Sequence, residues 1–133
     1  HASAMDVGNP SNMERFFSLY NDQKQLSREM DCISVNDDEI IEQIEQQFRK
    51  SNLVICPHTA TAFKAYDSLE KAEHKNHHWV IVSTAHPAKF ENIVEPIIHK
   101  NIEVPNNLMM ILEKESAFTE IDSDFNSLKQ FLV

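Results

Sequence analysis

An α/β fold, with short parallel strands flanked by helices, follows from three features of the chain. After residue 53, apolar runs alternate with helix-like stretches in the order strand, helix, strand, helix, which is the order that builds parallel sheets. The run Trp79-Val80-Ile81-Val82 is apolar at every position, as a strand covered on both faces must be. Pro57 ends the run Leu53 to Cys56, and Pro87 follows the Trp79 run and opens a helix, as proline is favoured to do at the first helical position.

The elements follow in order. Asn9 and Pro10 suit the cap and first position of a helix, and Ser11 to Tyr20 continues it with Phe16, Phe17, Leu19 and Tyr20. Asn21 to Met30 is polar and reads as a loop or weak helix. Cys32-Ile33-Ser34-Val35 alternates, as a short strand does. Asn36 starts a strong helix, because Glu39 stands three residues on as a capping-box partner and Ile40, Ile41, Ile44 and Phe48 share one face. Leu53 to Cys56 reads as a buried strand ended by Pro57. A helix from about Thr59 carries Ala60, Phe63, Tyr66 and Leu69 inward. A polar, His-rich loop leads into the Trp79 strand. Pro87 opens a helix with Phe90, Ile93, Val94, Ile97 and Ile98 on one face. Pro105 begins a shorter helix through Leu112, and Asp124 to Leu132 forms the last one.

Composition narrows the function. The chain has 133 residues and a formal net charge of -9, and no basic stripe interrupts the acidic surface, so a phosphate backbone is not an expected partner. No run approaches the roughly 20 apolar residues that a bilayer span requires. Two cysteines, Cys32 and Cys56, are too few for a disulfide framework and read as free buried thiols, which points to the cytoplasm. His74, His77 and His78 fit no standard zinc spacing, so no metal site is expected. There is a single glycine, Gly8. A phosphate cradle needs several, because backbone amides must approach the anion closely and adopt positive φ. An anion site built with this chain therefore needs residues from elsewhere.

Chemistry concentrates at two strand-to-helix junctions, Ile55-Cys56-Pro57-His58-Thr59-Ala60 and Val82-Ser83-Thr84-Ala85-His86-Pro87. Ligands of open α/β sheets sit outside the carboxyl ends of the strands, and helix N-termini offer unpaired amides. Thr59, Ser83 and Thr84 are thus candidates for ligand contact. The plainer reading makes all three ordinary helix caps. His58 and His86 stand at the same junctions, either at the site or as hydrogen-bonded junction residues.

The segment Ser83-Thr84-Ala85-His86-Pro87-Ala88-Lys89-Phe90 closely resembles a signature of the threonine synthase family. Met5-Asp6-Val7-Gly8-Asn9-Pro10-Ser11-Asn12 and Pro57-His58-Thr59-Ala60 resemble two further segments of that family, in the right order. The resemblance implies the C-terminal portion of a pyridoxal-phosphate enzyme of fold type II, the tryptophan-synthase-β type. It implies conversion of O-phosphohomoserine and water to threonine and phosphate. It also implies that Thr84 bonds the pyridine nitrogen of the cofactor, with Ser83 beside it. A hydroxyl donates to that nitrogen without protonating it and so moderates the electron sink. His86, Lys89, Asn9 and Ser11 become candidate substrate contacts, with helix capping or solvent exposure as their plainer roles.

The departures matter as much. No segment resembles the surroundings of the family's Schiff-base lysine, and the Gly-rich phosphate loop is absent. Residues 1–133 are therefore expected to form a single C-terminal fragment of the catalytic fold, inactive by itself and completed by an N-terminal part of the same polypeptide. The alternatives are a related phospholyase acting on another phosphorylated amino alcohol, and a stand-alone non-catalytic binding module. Nothing in the sequence specifies an oligomeric state.

Overall fold

The structure is a computed structural model, and it describes residues 1–2, 11, 13–20 and 22–132. Eight α-helices are present among the described residues: α1 Met13–Leu19, α2 Gln23–Glu29, α3 Asp37–Ser51, α4 Pro57–Asp67, α5 Lys71–Asn76, α6 Glu91–Ile98, α7 Asn106–Leu112 and α8 Phe125–Leu132. A 3-10 turn, Pro87–Phe90, leads into α6. The chain gathers into two compact units, residues 1–103 and 104–133.

The core of the first unit is built on α3. Its start is fixed by the predicted capping box: the Glu39 backbone N–H donates to Asn36 Oδ1 and the Asn36 N–H donates to Glu39 Oε2, both at 3.0 Å. Acidic residues in the first turn and Arg49 and Lys50 in the last complement the helix dipole. One face then buries Ile40 and Ile44 against Ile55, Ala60, Val94 and Ile98, which brings α3 onto α4 and α6. The buried amides on this face are satisfied. Gln43 Nε2 donates to Asp67 at 2.8 Å, and Gln47 Nε2 donates to Gln43 Oε1 at 3.3 Å. With one glycine in the chain, the helices end on other residues. Asn52 after α3 and His99 after α6 take the left-handed conformation, at φ 53° and 51°.

The parallel strands expected from the sequence do not form among the described residues. Cys32–Val35, Leu53–Cys56 and Trp79–Val82 are extended but lie in no sheet. Leu53–Cys56 keeps part of its expected character, since Ile55 and Cys56 are buried. Trp79–Val82 does not: Val80 is 85% exposed and Val82 and Trp79 are also open. The run borders a groove of about 480 Å³ shared with Cys32, Ile33, Tyr66 and Leu69, but no backbone hydrogen bond ties it to a neighbour. The physical reason is that a strand buried on both faces needs flanking strands to pair with, and the described residues supply none.

Other differences are local. The stretch read as a loop or weak helix contains α2, capped by Asp22, which accepts from the Gln25 N–H at 2.8 Å. The His-rich loop is helix α5 and its exit, where His74 Nε2 lies 3.2 Å from the Leu69 carbonyl and His77 Nδ1 lies 3.0 Å from Glu73. Cys56 is buried as expected, whereas Cys32 is exposed because its extended segment lies uncovered. In the second unit Asp124 caps α8, accepting from the Asn126 and Ser127 N–H groups. No helix among the described residues is long and apolar enough to cross a membrane.

Two outcomes are expected. Ile44 is fully buried, so Ile44→Ala should destabilise the first unit by about 2–5 kcal/mol in denaturant unfolding. The Asn36 N–H, and then Lys64, hold the Glu39 carboxyl below the ordinary glutamate value. Folding thus favours ionised Glu39. Its contribution is complete above the ordinary glutamate value and is lost as pH falls through the lower folded-state value. Denaturant midpoints followed into acid should therefore fall less steeply for Glu39→Gln than for the wild type.

Candidate functional site

The two junctions singled out in the sequence meet. α4 begins at Pro57, two residues ahead of the expected start, so Thr59 sits in its buried first turn. Thr59 Oγ1 lies 3.3 Å from Ser83 Oγ and 3.2 Å from Cys56 Sγ. A hydroxyl chain thus links the entry of α4 to the segment leaving Trp79–Val82.

Beside this link lies an open cleft of about 570 Å³. Ser83, Thr84, Ala85, His86 and Pro87 line it together with Val54, Ile102 and Glu103. Ser83, Thr84 and His86 are exposed there, while Thr59 and His58 are buried behind. His86 caps the 3-10 turn: its Nδ1 accepts from the Ala88 N–H at 3.2 Å. That bond leaves the neutral ring with its proton on Nε2, so His86 offers a donor as well as a cap. Lys89 is exposed on the same turn and is not among the cleft-lining residues. His58 packs edge-on against Phe90, with ring centroids 4.9 Å apart. Ser11 is exposed in the turn before α1, where its carbonyl accepts from the Glu14 N–H, and it does not line the cleft. Asn9 lies outside the described residues, as do Gly8 and Asn12.

Three lining residues escaped the sequence reading: Val54, Ile102 and Glu103. The last two belong to the extended stretch after α6, held by Glu95 Oε1 accepting the Ile102 N–H at 2.8 Å. The alternation Asn101-Ile102-Glu103-Val104 carries a period-two signal that marks such a segment. Glu103 gives the cleft a carboxylate, and no lysine or arginine lines it among the described residues. The cleft therefore offers neutral hydroxyls to a ligand but no charge to balance a phosphate. Among the described residues there is no group of three or more His, Cys, Asp or Glu placed to hold a metal ion.

Comparison with known proteins gives one consistent answer. The model of the family described as "Threonine synthase, C-terminal" matches residues 59–132. Threonine synthase from Buchnera aphidicola subsp. Schizaphis graminum is 33% identical over 99% of this chain, and the Escherichia coli enzyme is 28% identical over 99%. The match covers 30% of each of those relatives, so the chain spans about a third of their length. The crystal structure of threonine synthase from Escherichia coli superposes with a TM-score of 0.82 at 26% identity, covering 97% of this chain and 29% of that one.

The cap at His86 gives a direct check on the cleft wall. His86→Ala is expected to lower stability by about 1 kcal/mol and His86→Asn, which restores a capping acceptor, to recover most of it in thermal unfolding.

Proposed function

The chain belongs to the threonine synthase family, as the C-terminal part of such an enzyme, and we propose that in the intact polypeptide it forms one wall of a pyridoxal-phosphate site. There O-phosphohomoserine and water become threonine and phosphate. The observation that carries this reading is the exposed Thr84 hydroxyl in a cleft without cations, within the stretch that the family model matches.

Pyridoxal phosphate, when bound, supplies an electron sink for bonds at the amino-acid α-carbon. The part of this chain is to hold and tune it. Thr84 donates to the ring nitrogen and, being neutral, does not protonate it. Ser83 adds a second hydroxyl alongside. His86 offers its Nε2 proton to substrate, and Lys89, Asn9 and Ser11 are weaker candidates for the same task. The lysine that holds the cofactor and the glycine-rich cradle for its phosphate come from the N-terminal part of the same polypeptide. That division accounts for a cleft with a carboxylate and no cation. It also makes residues 1–133 inactive by themselves. The same reading accounts for the bare Trp79–Val82 run: strands of the missing part pair with its edges, and helices cover its faces. The free thiols Cys32 and Cys56 suit a reducing cytoplasm.

The test is made on the intact polypeptide. It is expected to bind pyridoxal phosphate, seen by its visible absorption, and to release inorganic phosphate from O-phosphohomoserine in preference to other phosphorylated amino alcohols. A protein that does neither sinks the proposal, and a preference for another substrate moves it to a related phospholyase. Thr84→Val is expected to lower turnover roughly tenfold, the worth of one hydrogen bond made in the site, with cofactor still bound.

A further inference from the structure

The stretch that carries Thr84 is held in an unusual way. From Ser83 to Ala85, beyond the run that the missing part would pair with, no backbone N–H or C=O hydrogen-bonds to a described residue. The one hydrogen bond in this stretch is the side-chain contact of Ser83 Oγ with Thr59 Oγ1. Thr59 is only 2% exposed and does not line the cleft, so it touches no ligand there. It is anchored in the first turn of α4, whose neighbours Pro57, His58 and Ala60 are all buried. A rigid buried hydroxyl thus faces a loosely held exposed one.

We infer that Thr59 is a positioning residue, whose buried hydroxyl orients the Ser83 hydroxyl and thereby fixes the Ser83-Thr84 exit against the cleft. The direction of the chain follows from its chemistry. A thiol is a weak acceptor and a hydroxyl oxygen a better one, so the Thr59 proton goes to Ser83 Oγ and the Cys56 thiol donates to Thr59. With its lone pair engaged by Thr59, Ser83 turns its own proton outward and meets the cleft as a donor. The alternative roles given to Thr59 by its sequence, ligand contact or cap, do not fit a buried hydroxyl already shared between two side chains.

This inference rests on the reading of Ser83 and Thr84 as cofactor contacts, and its test separates the two. In the intact polypeptide, the affinity for pyridoxal phosphate is titrated by absorbance for Thr59→Val, Thr59→Ser, Ser83→Ala and the Thr59→Val/Ser83→Ala pair. Thr59→Val is expected to weaken binding roughly tenfold. Thr59→Ser, which keeps the hydroxyl, should restore it to within about twofold, which a purely packing role for the methyl would not allow. The double variant should bind no worse than the weaker single one, since both break one connection. Additive losses, or a Thr59→Ser that behaves like Thr59→Val, overturn the inference. If Ser83→Ala weakens binding and Thr59→Val does not, the inference falls while the site reading stands. If Ser83→Ala leaves affinity unchanged, the reading of Ser83 falls and the inference with it. A second measurement guards against a Thr59→Val that does not fold. Ser83 is exposed, so Ser83→Ala keeps the fold. Proteolytic cleavage within residues 83–85 of the cofactor-free protein is expected to be severalfold faster in that variant, and an unchanged cleavage rate overturns the tie.

Discussion

The first turn of α4 is buried from Pro57 to Ala60, and it is pressed there by Ile40 and Ile44 of α3. That contact does more than bury apolar surface. It sets where the chain leaves Leu53–Cys56, which puts Val54 in the cleft and Thr59 behind Ser83. It also fixes α6 through Val94 and Ile98, and with α6 the Glu95 carboxylate that holds Ile102. The cleft is therefore bounded by segments that are irregular in themselves but are each pinned to the same helical core. A substitution within α3 would reach the cleft by loosening these pins, without any direct contact.

The cleft combines precision in its hydroxyls with poverty in its charge. Ser83, Thr84 and His86 are presented by a segment with few backbone bonds, whose position comes from two side-chain contacts at its ends, Thr59 to Ser83 and His86 to Ala88. Such a wall offers neutral donors and acceptors. It cannot neutralise a phosphate, since Glu103 is the charged group that lines it.

What could be read from the sequence was whatever is decided locally. The Asn36–Glu39 capping box depends on residues within one turn, and the structure has it as read; the last helix was legible too, whereas α4 begins at Pro57 and not at Thr59. Both junctions were singled out in the sequence, but their contact was not, since it comes from packing and not from a shared sheet. Family membership came from short motifs with their own spacing, and the comparisons bear it out. What depends on distant partners was not legible. Trp79–Val82 carries a strand's pattern, yet pairing is a property of neighbours, and here the run stays extended and bare. Lys71–Asn76 looked like a loop because it is polar all round, but a short surface helix needs no apolar stripe. Glu103 escaped notice because nothing in its own residue type distinguishes it from the other carboxylates; only the turn at His99 brings it to the cleft.

Trp79 is the single tryptophan of the chain, and it stands at the uncovered run and not in the core. Its ring has Tyr66 and His77 as edge-on neighbours at 6.4 and 6.2 Å, and its Nε1 donates to the Glu73 carbonyl. Intrinsic fluorescence from this protein is accordingly a local signal. Its emission colour follows whether water or another protein surface lies over the groove beside Tyr66. The packing of α3 on α4 and α6, which contains no tryptophan, is silent in that channel and speaks through circular dichroism instead. The chain thus carries separate optical readouts for its core and for the face that remains open.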